Sequence, residues 1–416
     1  MGRLYWILNP AFWTNMIVRV LMATGDRQLP NPTEWQSSRG FFNRPMGKGE
    51  LHSGMRITML LKRIFSRSLP QLDWIQVETT SHCNAACVYC PHTIYGQHWL
   101  RRHLPLETYG KLLPALAKTK IVHLQGWGEP LLNPHFFEMV RLAKGQGCQV
   151  GTTTNGTLLD RESLIRFVDH ELDVIAFSLA GTDQKNDTIR RGTILEEIVQ
   201  TMQILKELKH EKNTPRPEIH ISYMLLRSGL EDIAALPSLL QDLEVTQVVI
   251  STLDFIPDEE LAQEAFTTPD TQFNELQQLL NRVVAEGQRR GVAIHYQIPA
   301  RESQLFCAEN VERSLFISSD GGVSPCVFAG LPVSNASLFI NGQKWPYIPL
   351  NFGNVNGESL SRIWWNRDYR SFRRSFSSGK FAQPCLYCAK RRIITERSSK
   401  ADFQSLLLDL LDQVGR

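Results

Sequence analysis

The chain has 416 residues, 42% of them apolar, and a formal net charge of only +3. That length exceeds what one compact domain usually needs, so a main domain and a smaller one are expected. The near-balanced charge argues against a dedicated nucleic-acid binder. No apolar run approaches the ~20 residues of a transmembrane helix. Arg3, Asn9, Pro10 and Asn15 interrupt any signal-peptide core, so a cytoplasmic location is expected.

Two amphipathic helices are expected before residue 70. Asn9 and Pro10 start the first, whose Trp13, Met16, Ile17, Val20 and Leu21 share a face. The second, over 55–69, sets Ile57, Leu60, Leu61, Ile64 and Phe65 against Arg56, Lys62, Arg63 and Arg67. These faces pack on the core in one reading; in the other, residues 10–69 make peripheral contact with an anionic membrane. From Trp74 the pattern alternates. Strands are expected at 74–80, 121–126, 149–154, 173–179, 218–226, 246–252 and 293–298, with helices at 107–118, 134–144, 195–209 and 271–290. Such alternation implies a parallel α/β sheet, a whole or partial barrel, with its chemistry on the loops after the strands. After Arg301 the alternation stops. A hairpin turning at Asp320-Gly321-Gly322, a helix over 360–375 and an amphipathic tail from Ala401 follow.

The eight cysteines are clustered. Cys83, Cys87 and Cys90 follow the first expected strand, Cys385 and Cys388 lie near the C-terminus, and Cys148, Cys307 and Cys326 stand alone. In a large cytoplasmic chain this distribution reads as metal ligation rather than a disulfide framework. Cys148, at the wrong end of its strand for catalysis, reads as a buried free thiol. Three thiolates are one short of the four that close an iron–sulfur cube, so one iron would stay open to a substrate. Zinc, with His82 or His92 as fourth ligand, is the alternative.

The C-x3-C-x2-C spacing, with Tyr89 before its last cysteine, resembles the signature of the radical S-adenosylmethionine (SAM) superfamily. Gly126-Trp127-Gly128-Glu129-Pro130 is similar to that family's glycine–glutamate motif, and Asn155-Gly156 to its third-strand motif. Ser178 ends the fourth strand, and Asn186-Asp187-Thr188-Ile189-Arg190 resembles a His-Asp-x-x-Arg segment in which Asn186 replaces the histidine. The resemblance implies SAM contacts at Tyr89, Gly126, Gly128, Glu129, Asn155, Ser178 and Arg190, with Arg191 as the alternative carboxylate partner. It also implies a partial (β/α)6 TIM-like barrel.

Cys307 and Cys326 bracket the Asp320 turn. Gly353-Asn354, Trp364-Trp365 and Pro384-Cys385 then follow in an order similar to a SPASM-type auxiliary domain. No cysteine follows Cys388. The resemblance therefore implies the shortened twitch variant, in which Cys307, Cys326, Cys385 and Cys388 close one [4Fe–4S] cluster; a zinc ribbon is the alternative. The implied organisation is a helical extension at 1–70, a core barrel at 71–300, an auxiliary domain at 301–395 and a helix at 396–416.

The implied cofactors are two [4Fe–4S] clusters and SAM, with flavodoxin or ferredoxin as reductant. The implied reaction is reductive cleavage of SAM to a 5′-deoxyadenosyl radical that abstracts a hydrogen atom from an unactivated carbon. The expected outcome is net oxidation of a small-molecule or lipid-linked substrate; alternatives are a peptide or protein maturase and a non-catalytic metal protein. Gln125, Arg227, Asp254 and Tyr296, near strand ends, are candidates to face the substrate.

Overall fold

A computed structural model describes residues 68–266, 273–299, 307–340, 342–386, 388–391 and 393–395. The first expected helix, residues 55–67 of the second and the tail from Ala401 lie outside the described residues, and Ser68 and Leu69, where the second was expected to end, are not helical.

The strands, in chain order, are β1 Leu72–Val77, β2 Ala86–Cys87, β3 Thr119–Leu124, β4 Gln149–Thr154, β5 Val174–Leu179, β6 Arg190–Arg191 and β7 Glu218–Met224. They continue with β8 Val245–Ser251, β9 Ala293–Pro299, β10 Ser314–Ile317, β11 Val323–Ser324, β12 Ser337–Ile340, β13 Gln343–Pro346 and β14 Ile393–Thr395. Ten of them form one sheet in the order β11-β10-β1-β3-β4-β5-β7-β8-β9-β14. Every neighbouring pair from β10–β1 to β8–β9 is parallel; β11 and β14 pair antiparallel at the two edges. Among the described residues the edges do not pair with each other. The result is the mixed α/β, open-barrel sheet that the alternation implied.

Each parallel pair needs a crossover, and helices supply most of them. Residues at every second position of the strands, such as Ile75, Val122, Phe177, Ile221, Ile250 and Ile298, are buried with Phe167, Met202, Leu205 and Leu280 of the helices. Burial of each such side chain contributes about 1.5–3 kcal/mol.

Three departures from the expected elements have local causes. The single helix over 107–118 is two short ones, Leu106–Gly110 and Leu113–Leu116. Pro114 has no N–H to donate, so it sits in the first turn of the second. The helix over 360–375 also breaks, into Leu360–Trp365 and Arg367–Ser378. Asn366 is extended there (φ −64°, ψ 163°), and its side chain accepts from Tyr369 N at 2.8 Å. Third, the β10–β11 hairpin turns where expected, but β10 lies parallel beside β1 and extends the main sheet.

The loops at the C-terminal strand ends are packed backbone to backbone. A Cβ on Gly128 would stand 2.3 Å from Thr80 O and 2.4 Å from His82 O. Both neighbours are main chain and cannot swing aside. Gly128→Ala is therefore expected to lower stability by about 1–3 kcal/mol. Urea denaturation of the as-isolated chain should show this as a lower midpoint at unchanged slope.

Candidate active site

The first cysteine loop is held by short-range polar contacts. After β1, Thr79, Thr80 and Ser81 are buried. Ser81 Oγ donates to Leu100 O at 2.8 Å, and Thr80 Oγ1 to Arg102 O at 3.0 Å. Cys87 lies in β2, which pairs antiparallel with β6, placing Cys87 opposite Arg190. Val88 N donates to Ile189 O at 2.9 Å, and Cys90 N to Cys87 O at 3.1 Å. Cys90 then opens the helix Pro91–Tyr95, with Pro91 in its first turn.

The thiols sit close enough to feel one another's charge. Burial, then Glu129 and Cys87, push Cys83 up to about 11. Burial and Cys87 push Cys90 up to about 12. Without a cation these groups stay neutral; a bound metal would displace their protons. Arg190 is buried, and its Nη1 donates to Tyr89 Oη at 2.5 Å. Its Nε has no hydrogen-bond partner among the described residues. Arg191 is exposed. The structure thus separates the two arginines: Arg190 turns inward towards the thiols, and Arg191 turns outward.

The next strand ends meet this loop. Glu78, fully buried, accepts from Trp127 N at 3.0 Å through Oε1 and from Ser319 N at 3.0 Å through Oε2. Its side chain fills the space a Cβ on Gly126 would need, at 2.3 Å from its Cγ. Glu129 N donates to His82 O at 2.8 Å. The Glu129 carboxylate accepts from Thr154 Oγ1 and Asn155 N, both at 2.7 Å. Burial still raises it to about 7, against those hydrogen bonds and the charge of Arg190. Asn155 Nδ2 donates to Asn84 Oδ1 at 2.9 Å, inside the cysteine loop. Tyr89, Glu129, Asn155 and Arg190 therefore meet the loop that bears Cys83, Cys87 and Cys90, while Gly128 packs against Thr80 O and His82 O and Gly126 against Glu78. Ser178 lies three strands from β1, near the C-terminal end of β5.

Asn186, where the histidine was expected, is fully buried. Its Oδ1 accepts from Ala180 N at 3.0 Å, and its backbone N lies 2.5 Å from where a Cβ on Gly181 would be. It closes the turn after β5.

The second set is also assembled. Burial raises the Cys307, Cys326 and Cys385 thiols well above their ordinary range, and neighbouring cysteines add to the rise in each. Burial lifts Cys388 to about 11. Among the described residues no three His, Cys, Asp or Glu side chains converge on a single metal-ion position. A cube takes each thiolate at a different corner iron and does not require such convergence. Cys148 lies apart, buried, with Sγ donating to Leu116 O at 3.1 Å.

Two models match the chain: the radical SAM superfamily at residues 77–229, and the SPASM iron–sulfur cluster-binding domain at 307–389. The chain carries a radical SAM domain followed by a SPASM iron–sulfur cluster-binding domain. It is 26% identical over 332 residues to the tungsten-containing aldehyde ferredoxin oxidoreductase cofactor-modifying protein of Pyrococcus furiosus, covering 77% of this chain and 88% of that one. It is 31% identical over 188 residues to GTP 3′,8-cyclase of Chlorobaculum tepidum, covering 42% of this chain and 52% of that one. The fold is similar to Streptococcus suis SuiB bound to S-adenosylmethionine, with TM-score 0.54, 13% identity and coverage of 82% and 75%. It also resembles native anSMEcpe with bound AdoMet, with TM-score 0.53, 13% identity and coverage of 82% and 98%.

Radical SAM chemistry brings [4Fe–4S] clusters and SAM to this enzyme. The grouped, buried thiols and the partner-free Nε of Arg190 beside them fit such a load. Among the described residues no helix is long and apolar enough to cross a membrane.

The four substrate candidates fare differently. Tyr296 points to the helices, donating to Asn281 Oδ1 at 2.8 Å, so it does not face the inner side of the sheet. In a strand of period two its neighbour Gln297 lies on the opposite face. Gln125 Oε1 pairs with His123 Nε2 at 2.7 Å. Arg227 donates to Ala265 O at 3.3 Å and lies over the Phe266 ring. Asp254 is bound to Lys390 at 2.6 Å. The residues missed are those alternating with the apolar ones: His123, His220, Gln247 and Gln297, all buried on the face turned from the helices. Gln297 Nε2 and Oε1, Gln247 Nε2 and His220 Nδ1 have no hydrogen-bond partner among the described residues. The signal was present as single polar residues inside apolar strands, as in Ile219-His220-Ile221 and Tyr296-Gln297-Ile298.

Asn186→Ala removes the acceptor of a buried N–H. It should cost about 1–3 kcal/mol of stability in chemical denaturation; Asn186→Asp should not restore it, because the Nδ2 donor to Asp187 Oδ1 at 3.2 Å is replaced by a second carboxylate oxygen.

Proposed function

We propose that Cys83, Cys87 and Cys90 hold the SAM-binding cluster, and that Cys307, Cys326, Cys385 and Cys388 hold a second, fully ligated one. In this reading residues 71–300 are the catalytic barrel and 301–395 the auxiliary domain. Tyr89, Gly126, Gly128, Glu129, Asn155, Ser178 and Arg190 bind SAM. The observation that carries the assignment is Arg190: a buried guanidinium beside Cys87, anchored by Tyr89, with an N–H left over for a carboxylate.

When bound, the first cluster and SAM supply a one-electron cleavage that yields a 5′-deoxyadenosyl radical able to remove a hydrogen atom from an unactivated carbon. The chain's part is to orient SAM through Arg190 and the loops tied by Glu78 and Glu129, and to keep water out. A flavodoxin- or ferredoxin-type carrier delivers the electron. If Cys307, Cys326, Cys385 and Cys388 hold a cluster, its closed ligation would suit it to electron transfer, the chemistry that net two-electron oxidation of a substrate would need. Near the C-terminal end of β9, opposite Ser251 at the end of β8, the inner-face residue Gln297 leaves both its side-chain polar atoms unfilled among the described residues. This supports a substrate whose buried part is polar rather than a lipid tail. The Pyrococcus furiosus relative, named as a cofactor-modifying protein, favours a second reading in which the substrate is a small molecule or group held by another protein.

Anaerobic reconstitution should give about eight irons per chain. Cys87→Ala should abolish formation of 5′-deoxyadenosine; retained cleavage sinks the assignment. Arg190→Ala should raise KM for SAM about tenfold or more, as loss of a charged hydrogen bond implies, while Arg191→Ala stays near wild type. Equal effects at both positions would refute the role given to Arg190.

A further inference from the structure

One buried charge cluster is not used by the chemistry above. Lys390, two residues after Cys388, is 3% exposed, and its Nζ lies 2.6 Å from Asp254 Oδ2 and 3.8 Å from Glu309 Oε1. Glu309 is equally buried, and Asp254 is 10% exposed. Asp254 follows β8 on the loop side of the barrel, whereas Lys390 and Glu309 belong to the two cysteine-bearing segments. Lys390 O accepts from Ala308 N at 3.0 Å, next to Cys307, and its ammonium stands 5.3 Å from the Phe328 ring centroid. The ammonium is therefore locked among Cys307, Cys388 and the barrel, out of water.

A buried ion pair is costly to form, and a well-packed apolar pair often serves stability as well. What an apolar pair cannot supply is a field. At low effective dielectric a fixed charge acts strongly on a redox group nearby. Reduction adds one electron, so an adjacent positive charge favours the reduced form and an adjacent negative charge the oxidised form. Net charge near a cluster is one of the determinants of its potential.

We propose that Lys390 and Asp254 are positioning residues for electron transfer: Lys390 raises, and Asp254 lowers, the reduction potential of the cluster held by Cys307, Cys326, Cys385 and Cys388. The inference rests on the two-cluster reading. Through Asp254 it links the substrate end of β8 to the electron acceptor.

The test is an EPR-monitored redox titration of the reconstituted full-length protein, following the signal that added SAM leaves unchanged. Lys390→Met should lower the midpoint and Asp254→Asn should raise it. Each change should be about tenfold in the reduction equilibrium, about 59 mV for one electron. Lys390→Arg should keep the wild-type midpoint. Opposite shifts with full iron content support the proposal. Unmoved midpoints, or shifts of the same sign, overturn it. Loss of the second cluster in both variants also overturns it, because the pair is then only a strut; if Lys390→Met alone loses the cluster, the sign of the Asp254→Asn shift decides. A wild-type chain holding about four irons instead refutes the two-cluster reading itself, an outcome separate from these.

Discussion

The site depends on one buried carboxylate. Glu78 directly follows the first strand, is out of contact with solvent, and spends its oxygens on two main-chain N–H groups: Trp127, in the glycine loop after β3, and Ser319, in the turn of the C-terminal hairpin. Burial opposes its ionisation, and those two hydrogen bonds favour it. A buried N–H without an acceptor costs about 1–3 kcal/mol. One side chain thus joins the strand that launches the cysteine loop, the loop that meets it and the segment bearing the second cysteine set. Gly126 is required because Glu78 occupies the place of its side chain. The motif glycines here serve protein–protein packing as directly as they serve access to a ligand.

A second carboxylate repeats the device one strand further on. Glu129 ties the glycine loop to the end of β4, and Asn155 reaches from there to Asn84 in the cysteine loop. The short β2–β6 pairing then brings in Arg190 from beyond β5. Loops after four different strands are cross-linked by polar contacts, most of them buried, which fixes the loop geometry before any cofactor arrives. Preorganisation of this kind is what a site handling a reactive radical requires, since a loosely held one would admit side reactions.

The C-terminal region is not an appendage. It supplies strands at both edges of the sheet, β10–β11 beside β1 and β14 beside β9. Edge strands left bare invite unwanted pairing; here the cysteine-bearing segment covers them. The same arrangement carries Lys390 to Asp254 and Ser319 to Glu78, so the two cysteine sets are held by one sheet rather than by a linker.

Much of this was legible in the sequence. The seven expected strands are present with boundary shifts of at most three residues, because period-two apolar patterning and intervening helical patterning are local properties of the chain. The cysteine spacings, the glycine loop and the Asn155 turn are likewise local, and they identify the family. Three things were not local. The choice between Arg190 and Arg191 depended on which one a two-residue ladder turns inward. The failure of Tyr296 as a substrate-facing residue depended on which strand face meets the helices. The joining of β10 to β1, and the pairing of Lys390 with Asp254, bring together residues more than a hundred positions apart in the chain. The sequence determined which residues could bear the chemistry; only the tertiary structure decided which of them face inward together, because that is set by sheet register and burial rather than by neighbours in the chain.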